Sequence, residues 1–268
     1  MSKFDFKNAV AQAKARMEDR KLNAIVLAPS GGGKSSLAGT LGVPTLYLHL
    51  SAESHGPIAA STFATGDVDP VCIDDGRTPD EALEFLQALL NDKEFLSGYE
   101  AIALDSATSL EQVIRNSDNF RARCISEKTG KVNSFAEPAA VLTIFSEIIR
   151  LLQATGKHTI LTLALDVKAM DGETGEILEA MPKLSTYSVA ESIIMQFGDV
   201  FIIGPMTKGD KTAHRIQFSG KVSKTSKDAS GNVKKFINFS PRVTGVKVLP
   251  DSLPAKLSEV VKLKKEGK

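Results

Sequence analysis

The chain has only two cysteines in 268 residues, Cys72 and Cys124, far apart and outside any CxxC spacing. That scarcity argues against a disulfide framework or a zinc ribbon, and both residues read as ordinary thiols. The sequence also lacks any run of eighteen apolar residues, which leaves no transmembrane helix to place. Its start, "MSKFDFKNAVAQAKARMEDRK", lacks the uninterrupted apolar stretch of a signal peptide. The expectation is a cytoplasmic protein with no membrane partner. His49 and His55 flank "LSAES", but together with Glu53 they match no common metal-site spacing. Internal repeats and low-complexity tracts are missing as well.

Net charge is nearly absent too, at +1, but the balance is uneven. From Pro205 to the end there are 15 Lys+Arg against 5 Asp+Glu, a net of +10, which leaves −9 for the rest. A polyanion partner or a solvated lysine face would each account for a basic C-terminal part.

What is present is a 42% hydrophobic chain, long enough to bury one substantial core. "AVAQAKARMEDR" (9–20) reads as a surface helix, so residues 1–21 are set apart as an N-terminal helical segment. From there strands and helices alternate. "NAIVLA" is a strand, "KSSLAGTL" opens a helix, "PTLYLHL" and "PVCID" are strands, and "TPDEALEFLQALLND" is a helix with Thr78 as N-cap and Pro79 at its first position. "YEAIALDS" is a strand, "SLEQVIRNSDNFRARCI" and "EPAAVLTIFSEIIRLLQAT" are helices, and "HTILTLAL" is a strand ending at Asp166. Near-continuous apolar strands alternating with helices predict an α/β fold, a mostly parallel sheet covered on both faces. "GDVFIIG", "HRIQFSG" and "KKFINFS" are separated by turn residues and predict antiparallel strands in a β-rich basic extension, 205–268.

The stretch "IVLAPSGGGKSSLAG" carries the clearest chemistry. Gly31, Gly32 and Gly33 let the backbone curl and aim successive N–H groups into one concavity at a helix start, which suits phosphate. Pro29, Ser30 and Ser36 complete the loop, Lys34 supplies a point charge for the β and γ phosphates, and Ser35 places a hydroxyl where a phosphate-bound Mg²⁺ sits. The strict pattern GxxxxGK[ST] has Ala28 in place of its first glycine, a mild departure because that position shapes the strand exit. In "AIALDS", four apolar residues deliver Asp105 to the carboxyl end of what should be an adjacent strand. From there it would hold Mg²⁺ through water, or alternatively cap the following helix.

Taken together, "APSGGGKSS", "LHLSAES" and "IALDSATSL" resemble the RecA-like P-loop ATPase core over about residues 22–204, and most closely the short phage ATPases of the Sak type. The resemblance implies ATP as the nucleotide. Nothing in the chain resembles the guanine-reading "NKxD". Glu53 matches the catalytic glutamate that orients water, acting with Lys34. A polar residue near the end of "HTILTLAL" would sense the γ-phosphate, and Thr162 suits that role better than Asp166, whose charge would repel phosphate. The resemblance also implies single-stranded DNA as a partner, self-association into a ring or filament, cooperation with a single-strand binding protein, and the cytoplasm of a phage host. Motor or helicase subunit and nucleotide-dependent switch for a protein partner are the alternative readings.

Within that resemblance two loops face DNA. "RARCISEKTGKVNS" offers Arg121, Arg123, Lys128 and Lys131. The other, 166–192, carries the acidic hairpin signal "DGETGEILE" flanked by Lys168 and Lys183, which does not resemble a backbone-tracking groove; ordering on filament formation and serving a protein partner are the two readings open for it. A separate candidate surface is Lys221, Lys224, Lys227, Lys234 and Lys235, interleaved with Phe218, Phe236 and Phe239, since cations beside aromatics suit single strands. Phe236 and Phe239 would point to opposite faces of one strand, so at least one belongs to the core. Arg215, Lys221 and Arg242 are candidates to reach a neighbouring subunit's γ-phosphate.

Overall fold

Every residue from Ala24 to Ala28 is fully buried. Ile25 and Leu27 face one apolar layer, while Ala24, Val26 and Ala28 face the other. A strand wrapped in core on both sides belongs at the centre of a parallel sheet. The computed structural model describes residues 21–126, 129–170, 177–208, 211–217, 221–223 and 236–238.

In chain order, β1 (Asn23–Ala28) is followed by α1 (Lys34–Ala38), β2 (Thr45–His49), α2 (Gly56–Thr62), β3 (Val68–Cys72), α3 (Pro79–Asn91) and α4 (Lys93–Leu96). Next come β4 (Ala101–Asp105), α5 (Ala107–Asn116), α6 (Asp118–Cys124), α7 (Glu137–Ala154), β5 (His158–Met170), β6 (Ile177–Pro182) and α8 (Tyr187–Ile194). The described chain continues with β7 (Asp199–Lys208), β8 (Lys211–Gln217), β9 (Lys221–Ser223) and β10 (Phe236–Asn238). Short 3₁₀ turns occupy Gly39–Leu41, Ser51–Glu53 and Ser134–Ala136.

The main sheet runs β3-β2-β4-β5-β1-β7-β8, parallel throughout except for the antiparallel β7–β8 pair. One face is covered by α3, α5, α7 and α8 through residues such as Leu86, Leu110, Ile144 and Ile193. The other is covered by α1 and α2 through Leu37, Ala38 and Ala60. Each large apolar side chain so buried contributes about 1.5–3 kcal/mol, so α7, which buries Val141, Ile144, Phe145, Ile148, Ile149 and Leu152, is a main source of stability. At one margin, among the described residues, β3 pairs only with β2, and its Asp69 and Pro70 are exposed.

Local chemistry explains the helix ends. Thr78 accepts the Glu81 N–H and Glu81 answers the Thr78 N–H at 2.8 Å, a capping box with Pro79 in the first turn. The single helix expected over 109–125 is broken at Ser117. Its backbone is extended and its hydroxyl caps a new helix by accepting the Phe120 N–H at 3.1 Å. Asp80 fixes where that new helix starts, accepting the N–H groups of Asp118 and Asn119.

Strand β5 does not stop at Asp166. Beyond Ala164, where β1 ends, it runs on to Met170 because β6 pairs antiparallel with it and satisfies its backbone. Of the acidic hairpin signal, 171–179, residues 177–179 are the first of β6, and 171–176 fall outside the described residues. β9 runs parallel to β6 and antiparallel to β10, and the antiparallel C-terminal strands expected from the sequence are present. The helix expected at 9–20 lies outside the described residues.

Candidate active site at the carboxyl edge of the sheet

Pro29–Gly33 links β1 to α1 in a tight turn, closed by the Gly32 N–H to the Pro29 carbonyl at 2.9 Å. The glycines are required for two distinct reasons. Gly31 and Gly33 have φ of 71° and 88°, where a side chain would be strained. At Gly32 a Cβ would sit 2.9 Å from Pro29 and 3.0 Å from the Ala28 Cβ. Ser30 is exposed on the loop, and Lys34, Ser35 and Ser36 form the half-buried first turn of α1. Ala28, where the strict motif has its first glycine, is fully buried at the end of β1.

Asp105 is fully buried at the end of β4. Its Oδ2 accepts the Ser35 hydroxyl at 2.6 Å and also the Tyr47 hydroxyl, while Oδ1 accepts the Thr162 hydroxyl. The strand expected to be adjacent to β1 is in fact one removed, because β5 lies between β1 and β4. That intervening strand is what brings Thr162 onto the carboxylate. The alternation of β4 puts Ala101, Ala103 and Asp105 on one face, and the two small alanines lie in the same buried layer as Tyr47. The phenol of Tyr47 is pushed far above its ordinary 10.0, first by burial and then by the neighbouring Asp105 carboxylate, so it remains a donor. Ser106, not Asp105, caps α5, accepting the Ser109 N–H at 3.3 Å, and the Asp105–Ser106 peptide is cis.

Gly56, the first residue of α2, roofs this cluster. A Cβ there would lie 2.7 Å from the Tyr47 hydroxyl and 2.8 Å from Asp105 Oδ2. The donor set, a serine hydroxyl against an aspartate, consists of hard oxygens and fits Mg²⁺, which takes one or two protein oxygens and leaves the rest to phosphate and water.

Glu53 ends the 3₁₀ turn that follows β2. Its Oε1 accepts the hydroxyls of Ser106 at 2.7 Å and Ser109 at 2.8 Å. The start of that turn is tied to Asp74, which accepts the Ser51 N–H and hydroxyl, each at 2.7 Å. Burial would raise the Asp74 carboxyl, but the Ser51 bonds and the Cys72 thiol outweigh it and hold it below its ordinary 3.8. Burial and the same hydrogen bond push the Cys72 thiol up. Beside the turn lies a cavity of about 280 Å³ lined by Ser51, Asp74, Arg77, Ser109, Gln112 and Asn116. His49, His55 and Glu53 do not gather into a metal cluster, nor does any other set of three His, Cys, Asp or Glu among the described residues.

The model of a family described as an AAA domain matches residues 20–217. The chain belongs to this AAA domain family. It is therefore a P-loop ATPase-like protein with a nucleotide-binding α/β core, as the phosphate loop and sheet indicate. No curated protein matches the chain. Among the described residues no helix of the AAA domain is long and apolar enough to cross a membrane.

Thr162, preferred from the sequence as γ-phosphate sensor, and Asp166, disfavoured for that role, lie in different surroundings within the AAA domain. Thr162 is buried on Asp105. Asp166 lies four residues further along β5 in an ion pair with Lys168, which holds its carboxyl below the ordinary range. Of the cationic candidates, Arg121 and Arg123 are exposed on α6. Arg121 lies 3.2 Å from Asp118, and Arg123 lies 2.9 Å from Asn119 and 3.9 Å from Glu147. Lys131 is exposed in the turn that follows, which is pinched by an antiparallel bridge between Ile125 and Val132.

The same turn exposes apolar surface that the sequence reading missed: Phe135 at 93%, Val132 at 71% and Ile125 at 48%. The available signal was a lone phenylalanine in the polar stretch "KVNSFAEP". Arg215 falls on β8 and Lys221 on β9. Lys128, Lys224, Lys227, Lys234, Lys235, Phe218, Phe239 and Arg242 lie outside the described residues, and Phe236 opens β10.

Proposed function

We propose that this AAA-domain protein is a Mg²⁺-dependent ATPase of the RecA-like, Sak-type kind that binds single-stranded DNA according to its nucleotide state, in phage recombination or replication. The observation that carries the reading is the 2.6 Å contact between Ser35 and Asp105, with Glu53 held beside them through Ser106. Gly31–Gly33 and Lys34 would cradle the phosphates, Ser35 and Asp105 would hold the metal, and Glu53 would take the proton of the attacking water. The metal when bound neutralises charge on the transferring phosphoryl group.

A strand of DNA finds cations at Arg121, Arg123 and Lys131 and an open aromatic face at Phe135. Self-association into a ring or filament would bring Arg215, Lys221 or Arg242 toward a neighbour's phosphates. The test is steady-state ATP hydrolysis with Mg²⁺, with and without single-stranded DNA, using Lys34→Ala as the blank. Stimulation by DNA above that blank supports the reading. A DNA-indifferent basal rate favours a second one, a nucleotide-dependent switch for a protein partner, which the acidic neighbours of Arg121 and Arg123 and the apolar Ile125–Val132 pair make reasonable.

A further inference from the structure

We infer that Ser109 and Ser106 are positioning residues for the catalytic carboxylate, an inference that rests on the assignment of Glu53 as the group that accepts the proton of water. Glu53 sits on a short turn after β2, where its own backbone gives little hold on a flexible side chain. The structure supplies the hold from elsewhere. Two serine hydroxyls at the start of α5 converge on the same oxygen, Oε1, at 2.7 and 2.8 Å, and stand 3.3 Å from each other.

Oε2 takes no hydrogen bond from the described residues, so the carboxylate has one oxygen anchored and the other presented. Both serines are buried, Ser106 fully and Ser109 at 7% exposure, so water competes poorly for these bonds. Ser106 directly follows Asp105, and the anchor thus registers Glu53 against the metal-binding carboxylate through a single peptide link. Ser109 also lines the 280 Å³ cavity, which places the anchor at the boundary between the active site and that hollow.

Anchoring one oxygen matters because general-base catalysis depends on placing the accepting atom within hydrogen-bond reach of the water it serves. Ser106 also caps α5, so its removal mixes helix stability with catalysis. Ser109 is the cleaner probe. The experiment compares wild type, Ser109→Ala, Ser109→Thr, Glu53→Gln and the double variant Ser109→Ala/Glu53→Gln. Each is measured for kcat and KM for ATP, for equilibrium binding of a non-hydrolysable ATP analogue, and for thermal unfolding.

The expected result is a fall in kcat of about tenfold in Ser109→Ala, a part of the 10²–10⁴ a positioned base supplies, with analogue affinity and KM changed less than about twofold. Ser109→Thr, which keeps the hydroxyl, recovers most of the rate. In the Glu53→Gln background Ser109→Ala produces no further loss, because its effect passes through that carboxylate. An equal loss in both backgrounds, or wild-type kcat in Ser109→Ala while Glu53→Gln is inactive, overturns the positioning role and leaves the ATPase reading intact. Wild-type turnover in Glu53→Gln removes Glu53 from the mechanism and takes this inference with it.

Discussion

The end of β4 and the segment from Asp118 to Ala136 are close in sequence and opposite in construction. At Asp105 each carboxylate oxygen receives a hydroxyl, burial is complete, and even the backbone roof at Gly56 leaves no space for a methyl group. A few residues on, cations, a phenylalanine and a valine stand in solvent, and the ion pairs there are exposed ones of little energetic weight. A site that must handle charge of fixed geometry is built before its ligand arrives. The second region instead leaves those charged and apolar groups open to solvent, with Arg121 paired along its own helix and Ile125 bridged to Val132 across the turn.

The sharpest way to break this contrast is to remove the fixed charge at the phosphate loop. Lys34→Ala should lower ATP turnover by on the order of a hundredfold or more, with the melting temperature nearly unchanged. Turnover that survived would mean the pre-built edge is not where hydrolysis happens. Next in size is Gly56→Ala, which forces its methyl group against Tyr47 and Asp105. Overpacking of this kind costs about 1–3 kcal/mol, and each kcal/mol lowers the midpoint of thermal unfolding by about 2–4 °C in a chain of this size. An unaltered melt would show the roof to be looser than the distances imply.

On the adaptable side, Phe135→Ala should leave stability within about 0.5 kcal/mol yet weaken single-stranded DNA binding by about 1–3 kcal/mol if a base stacks there. A titration by fluorescence anisotropy decides, and unchanged affinity would return this surface to the partner-switch reading.

The smallest effect concerns the turn that carries Glu53. Asp74 has a carboxyl lowered in the folded state, so its contribution is full above its ordinary 3.8 and is lost as pH falls through the lower folded value. Asp74→Asn should therefore cost about half a kcal/mol near neutral pH, after allowance for solvent screening, and the gap from wild type should close below about pH 4. A gap constant across that range in pH-dependent melts would assign the loss to shape instead of charge.

How legible each part was follows the same division. Gly31–Ser35 could be read directly because binding phosphate demands those residue types in consecutive order, and Asp105 because an apolar run ending in a carboxylate points to a strand's end. Tyr47 and Thr162 could not be assigned to Asp105, since they meet it only through the strand order, which sets β4 between β2, the strand of Tyr47, and β5, the strand of Thr162. Nor could Ser109, which among several serines gains meaning only when α5 turns it toward Glu53. The break at Ser117 was legible in principle, as a serine–aspartate pair that caps a helix, but the continuing amphipathic pattern hid it. The extension of β5 to Met170 depends on β6, a partner that no local pattern in β5 announces.

Strand β3, finally, bears on how copies of this protein could meet. Among the described residues β3 forms an outer margin of the sheet, a place that invites another strand, yet an arriving backbone meets Pro70, which has no N–H to offer, and the exposed carboxylate of Asp69, already held by the Tyr99 hydroxyl at 3.0 Å. Growth by extending the sheet is discouraged on that side. Any assembly formed on that side would have to use side-chain surfaces instead of a shared β-ladder.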